Sequence, residues 1–277
     1  MTSADPTPDT APVAAPPAPG ARRARVIAIT SGKGGVGKTF LSANLAAALA
    51  RRGDRVLVLD ADLGLANLDV ALNLSPTATL HDVFTDRVPL EDAILPAPGG
   101  FSVLLAGSGL VEYSRLTADV REKLTGVIDS VAPRYDWVLL DTGAGISDVV
   151  LHAVSLAGEV LLVTTPEPTA LTDAYATLKV LATQQHRRQI RLVINQVLRS
   201  GEGKPICAQL QMVADRYVAP LLQPPGTLTL SLVGDVPSDP SVRDAVKRRS
   251  LLMESLPGCD ASRAIVALAA RLADEPA

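Results

Sequence analysis

Gly32-x-x-x-x-Gly37-Lys38-Thr39 sits between a short apolar run, RVIAIT (25–30), and a segment with helical spacing, FLSANLAAALARRG (40–53). That is the setting a phosphate-binding P-loop requires. Glycines let the backbone fold closely around a phosphate chain and turn its N–H groups inward. A helix opening near Gly37 adds its positive end. Lys38 then reaches the β- and γ-phosphates, and the Thr39 hydroxyl reaches a Mg²⁺ ion. The candidate contacts to a nucleotide are Gly34, Gly35, Val36, Gly37, Lys38, Thr39 and Phe40. A second lysine, Lys33, stays unexplained, because a loop that cradles phosphates from within does not need it.

Two acidic segments accompany the loop. LVLDADLGLANLD (57–69) places Asp60 and Asp62 at the end of an apolar run, and both cannot be core. Asp60, at the strand end, either supports a Mg²⁺ ion or holds the loop. DWVLLDTGAGIS (136–147) has four apolar residues ending in Asp141, a Walker B arrangement. There a sheet delivers a carboxylate to the Mg²⁺ shell at the carboxyl end of a strand, where α/β sheets put their sites.

The elements that must position these groups alternate along the chain. Buried strands are expected at 25–30, 55–60, 101–107, 137–141, 159–165, 190–197 and 230–237. Helices are expected near 40–53, 117–131, 147–157, 169–185 and 204–219, with short helices to the end. Strands apolar throughout and separated by helices imply an α/β fold, a mostly parallel sheet with helices on both faces. One P-loop NTPase domain over 25–277 is expected, preceded by a Pro/Ala-rich arm at 1–24 that cannot bury enough surface to order itself. LLQPPGTL (221–228) reads as a loop inside that domain.

Composition supports a sizeable core: 47% of the 277 residues are apolar and 20% charged. A net charge of -3 gives no global pull toward nucleic acid or anionic lipid. Cys207 and Cys259 lie far apart, without metal-ligand or disulfide spacing, which suits a reducing cytoplasm. The N-terminal segment lacks the basic and apolar regions of a signal peptide, and no run approaches the roughly 20 apolar residues of a membrane span. The sequon-like NLS at 73–75 is read as chance, and His81, His152 and His186 have no catalytic neighbours in sequence. Arg22, Arg23 and Arg25 form a small basic cluster, read as a solvated strand entry. In ASRAIVALAARLADEPA (261–277), Ile265, Leu268 and Leu272 share one helical face. The helix is short, alanine-rich and poor in basic residues, so it is expected to pack on its own domain rather than in a membrane interface.

KGGVGKT (33–39) resembles the deviant Walker A motif of the MinD/ParA family. The resemblance covers about residues 25–257. DADLGLANLDVALNL, DTGAGIS, EPTALTDAYATLK (167–179) and VPSDPSVRDAVKRRSLLMESLP (236–257) look most like its FlhG/FleN branch, MinD-like ATPases that control flagellar number and placement. Several things are implied by this likeness. ATP and Mg²⁺ are the cofactors, and ATP is hydrolysed slowly by a homodimer. Lys33 is the signature lysine that reaches across the dimer to the partner's nucleotide, as an arginine finger does. Asp62 lies in switch I and positions the attacking water, while Gly143 and Gly145 form switch II. Gly143 stands where the family's D-x-P-A-G segment carries proline, implying a more flexible loop. Asn195, Val236, Pro237 and Asp239 match the asparagine and proline loop that hold the base; an amide both donates to and accepts from an adenine edge. The helix around Asp173–Lys179 is expected near the dimer face. The implied protein partners are a flagellar GTPase resembling FlhF, switch-complex proteins, or a flagellar transcription activator. The implied location is cytoplasmic, polar or membrane-proximal through partners. The GTPase-activating D-Q-A-x-x-L-R motif of some relatives has no match in residues 1–24.

Three rival readings compete with this one. A DNA-partition ATPase needs a basic surface, toward which AVKRRS (245–250) contributes while the global charge argues against it. An iron–sulfur carrier needs a C-x-x-C pair, which is absent. A nucleotide-locked scaffold without hydrolysis would not need Lys33, Lys38, Thr39, Asp62 and Asp141 together.

Overall fold

A computed structural model describes residues 24–64, 66–107 and 116–275. The proposed arm therefore lies outside the described residues except for Ala24. Strand β1 (Arg25–Ser31) leads through the glycine loop into α1 (Lys38–Ala50), then β2 (Val56–Ala61). Helices α2 (Leu68–Leu72), α3 (Leu80–Phe84) and α4 (Leu90–Ala93) precede β3 (Ile94–Pro96) and β4 (Ser102–Leu104). The chain continues as α5 (Ala118–Val131), β5 (Trp137–Ala144), α6 (Asp148–Leu156), β6 (Glu159–Thr164), α7 (Pro168–Gln184), β7 (Gln189–Val197), α8 (Gly203–Tyr217) and β8 (Thr229–Pro237). It ends in α9 (Pro240–Lys247), α10 (Leu252–Ser255) and α11 (Asp260–Asp274).

The eight strands order as β3-β4-β2-β5-β1-β6-β7-β8. Every neighbouring pair is parallel except the β3–β4 edge. The parallel sheet is as the alternating pattern requires. The 101–107 strand is shorter than expected, and β3 pairs with it antiparallel, so one edge is not parallel.

The strand period of two divides the apolar residues between two cores. Ile27 and Ile29 face one side with Val58, Leu139 and Val163, under α1, α10 and α11. Ala28 faces the other with Leu59, Leu140 and Leu162, under α5, α6, α7 and α8. Both faces are thus covered, which is why these strands read as continuous apolar runs.

Helix α11 packs on the domain as its pattern suggests: Ile265, Leu268 and Leu272 are buried. Burying three such side chains is worth on the order of 5 kcal/mol, so the apolar face a bilayer would take is already used. A Cβ on Gly234 would lie 2.7 Å from Leu268, so the helix sits directly on β8. Among the described residues, no helix is long and apolar enough to cross a membrane.

Arg25 corrects the reading of a solvated strand entry. Its guanidinium donates to both carboxylate oxygens of Glu159 at 2.8 Å. It also donates to the carbonyls of Leu272 and Glu275, at 2.6 and 2.9 Å, and lies 4.5 Å from the Trp137 ring centroid. The first strand thereby caps the last turn of α11, where unpaired carbonyls concentrate negative charge. Arg22 and Arg23 lie outside the described residues.

Candidate functional site

The site forms where β1, β2 and β5 end side by side. Backbone geometry builds the phosphate cradle. Gly35 and Gly37 have φ of 79° and 92°, in the left-handed region that glycine enters without strain, and Gly37 caps the start of α1. Gly32 is needed for a different reason. A Cβ there would stand 2.2 Å from the carbonyl oxygen of Asp173, so the loop rests on the backbone of α7. The Ser31 hydroxyl donates to the Lys33 carbonyl at 2.8 Å.

Around that cradle lies a cleft with two lobes that share Gly35, Gly37 and Phe40. One, of about 680 Å³, is lined by Gly34, Lys38, Thr39, Asp62 and Gly143. The other, of about 740 Å³, is lined by Asn195, Pro237 and Asp239. Both fall in the size range of nucleotide and cofactor pockets. None of His81, His152 and His186 lines either lobe.

Lys38 is nearly buried in the first lobe. Burial pulls its ammonium pKa down, while the nearby carboxylates of Asp141 and Asp62 pull it back up. Asp141 is 3% exposed. It accepts from Ser42 Oγ at 2.8 Å and from the Thr39 side chain. Burial raises its pKa to about 6, against those two hydrogen bonds and Lys38, with Asp62 adding to the rise. Asp60 pairs with Asp141 across β2 and β5. Burial, then the Asp141 charge, holds its carboxyl well above the usual carboxylate range.

One Asp60 oxygen accepts the Asp62 N–H at 3.1 Å and the other the Leu68 N–H at 3.4 Å. Asp60 therefore brackets the loop between β2 and α2. The first lobe suits Mg²⁺. Among the described residues there is no cluster of three or more His, Cys, Asp or Glu able to cage a metal. Mg²⁺ wants none, taking one or two hard oxygens plus phosphate and water. Thr39 and Asp141 supply such oxygens beside the cradle.

The segment after Asp141 is bonded to the end of β1. Strand β5 runs through Gly143 to Ala144. Thr142 Oγ1 donates to the Ile29 carbonyl at 3.0 Å, and the Gly145 N–H to the Ser31 carbonyl at 2.8 Å. Gly143 itself lies at the register shift between the Ile29–Asp141 and Ser31–Ala144 pairs, the kind of irregularity at which a strand bends.

The residues expected to hold the base take other places in the structure as well. Asn195 Nδ2 donates to the Val36 carbonyl at 2.7 Å, and its Oδ1 accepts the Gln196 N–H at 3.0 Å. It is a strut under the phosphate loop as well as a wall of the second lobe. Pro237 lines that lobe. Val236 is 1% exposed, with its side chain in the core, and enters as the register partner of Asn195.

Lys33 does not point into its own cradle. Its ammonium donates to Glu167 Oε2 and Thr169 Oγ1, each at 2.9 Å, at the start of α7. Ser42, Glu167 and Thr169 are site residues that motif spacing does not single out. Ser42 had a signal, since it lies three positions after Thr39 on the same helical face. Glu167 had none, being 134 positions from its lysine.

Comparison with known proteins agrees with this geometry. The family model for an AAA domain matches residues 24–194. The antiactivator FleN of Pseudomonas aeruginosa is 42% identical over 252 residues, covering 91% of this chain and 87% of that protein. The flagellum site-determining protein YlxH of Helicobacter pylori is 33% identical, covering 84% of this chain and 76% of its own length. Among solved structures, the septum site-determining protein MinD from Pyrococcus horikoshii, complexed with Mg-ADP, superposes with a TM-score of 0.73 at 28% identity, covering 91% and 96% of the two chains.

Proposed function

Because the chain belongs to the MinD/ParA family of P-loop ATPases, in its FleN/FlhG branch, we propose that it is an ATP-switched regulator of flagellar number or flagellar gene expression. It binds ATP with Mg²⁺ and dimerises on doing so. Hydrolysis to ADP and phosphate ends the dimer, so the turnover rate sets how long the regulator stays on.

Each residue has a part in this cycle. The N–H groups of Gly34–Thr39 and the Lys38 ammonium hold the β- and γ-phosphates. Thr39 and Asp141 hold the metal, with Ser42 fixing the Asp141 carboxylate. A Mg²⁺ held there would supply positive charge against the negative charge that develops during phosphoryl transfer. Asp60 holds the loop that carries Asp62, and Asp62 orients the water that attacks the γ-phosphorus. Asn195 and Pro237 flank the base, and Phe40 lines the junction between the two lobes.

The observation that carries this reading is the position of Lys33. It waits at the rim, 38% exposed at its side chain, on an outer glutamate and threonine. An exposed ion pair of this kind is worth at most about 1 kcal/mol. A second subunit's phosphates can therefore draw the ammonium away at little cost. The FleN name makes a transcription activator the first partner to consider for the ATP dimer, with a flagellar GTPase or switch-complex protein next. The apolar face of α11 is packed inside and so is not offered to a membrane.

The test is sedimentation and phosphate release on the purified chain. With Mg²⁺ and a slowly hydrolysed ATP analogue the protein should sediment as a dimer, and with ADP as a monomer. Turnover per protomer should rise with protein concentration. A monomer in both nucleotides, with a rate independent of concentration, would contradict the switch.

A further inference from the structure

Gly143 has no need to be glycine on backbone grounds. It lies inside β5, and its φ is outside the left-handed region. The family segment carries proline at this place, so what glycine changes in this chain lies in the space beside it. A Cβ built there would meet one residue first: the three nearest atoms are Asp62 Cγ at 3.3 Å, Oδ1 at 3.3 Å and Oδ2 at 3.4 Å. The two distances of 3.3 Å are tighter than ordinary van der Waals contact, and the third lies at its near edge.

Asp62 is thus located from three sides. Its backbone N–H is held by Asp60 Oδ1 at 3.1 Å. Its charge lies close enough to the Lys38 ammonium and the Asp141 carboxylate to act on both. Its carboxylate lies along the bare Cα of Gly143. Gly143 lies at the register shift of the β1–β5 ladder, but its backbone is held on either side, where Thr142 and Gly145 are bonded to β1. The side chain that must yield to any added atom is the aspartate.

We propose that Gly143 is a positioning residue for hydrolysis: its missing side chain leaves the groove in which the Asp62 carboxylate is seated, and so sets the turnover rate without touching nucleotide affinity. The inference rests on the role given to Asp62 above. A shift of 1 Å in a reacting geometry costs on the order of 100-fold, so a displacement of a few tenths of an ångström is expected to cost roughly three- to tenfold.

The experiment is a size series with a double-mutant comparison. In Gly143→Ala, kcat should fall roughly three- to tenfold, with KM for ATP and the melting temperature close to those of the parent. Gly143→Ser should lose at least as much. In an Asp62→Ala background, where no carboxylate needs the groove, adding Gly143→Ala should leave the residual single-turnover rate unchanged. If Asp62→Ala abolishes turnover while Gly143→Ala keeps the parent kcat, this inference is overturned and the role of Asp62 stands. If Gly143→Ala lowers the residual rate equally with and without Asp62, the effect is structural and the inference is again overturned. Full turnover in Asp62→Ala itself would overturn the role of Asp62, and this inference with it.

Discussion

Replacing Lys33 by alanine is expected to cut ATP turnover by about 100- to 1,000-fold, the usual effect of removing one charge-stabilising donor from a transition state. Nucleotide affinity measured by calorimetry should change little. The reason is geometric. In the free protomer the Lys33 ammonium is bonded to Glu167 and Thr169, while the Lys38 ammonium is the one buried in the cleft. Binding by one subunit alone therefore loses little when Lys33 is removed, and a step that needs a second subunit loses much. Normal turnover in Lys33→Ala, with dimerisation intact, would contradict the trans-acting role.

Asp62→Ala should lose turnover by roughly 100- to 10,000-fold, the range for a group that activates or orients an attacking water. Here the dimer should accumulate instead of vanish, because the ATP state is formed and never discharged. Removing this carboxylate also leaves Lys38 with one acid fewer beside it, so the phosphates meet a more available cation and affinity should hold or improve. Sedimentation of the variant in ATP reads the outcome. A variant that stays monomeric in ATP would mean that Asp62 is needed to assemble the site.

Much of this site was legible in the chain because its chemistry is local. Gly32, Gly37, Lys38 and Thr39 sit within eight positions, and a strand end followed by a glycine loop is a self-contained structure. Asp141 was legible because a run of buried apolar residues has one place to put a carboxylate, its end. The rest depends on contacts between distant parts of the chain. No periodicity ties Lys33 to Glu167, or Arg25 to the carbonyl of Leu272, 247 positions away. Asp60 was ambiguous for a related reason: its two oxygens are committed to backbone N–H groups, and a sequence shows side chains, not which amides they meet. Asn195 was read as a base contact from the family resemblance, while its support of the Val36 carbonyl follows only from the loop folding over it. The short helices α2 to α4 and the antiparallel β3 lie where turns and small elements follow each other too quickly for a period to develop.

The central claim is that each active site combines its own Asp62 with the other subunit's Lys33, and mixing two inactive variants tests it directly. Lys33→Ala and Asp62→Ala proteins, each nearly inactive alone, should recover activity when combined with ATP and Mg²⁺. In a mixed dimer the Lys33→Ala subunit keeps its own Asp62 and receives an intact Lys33 from its neighbour, so one site of two is complete. Equal amounts give mixed dimers half the time, and phosphate release should reach about a quarter of the parent rate. A mixture no more active than its components, although shown to form mixed dimers, would contradict the claim.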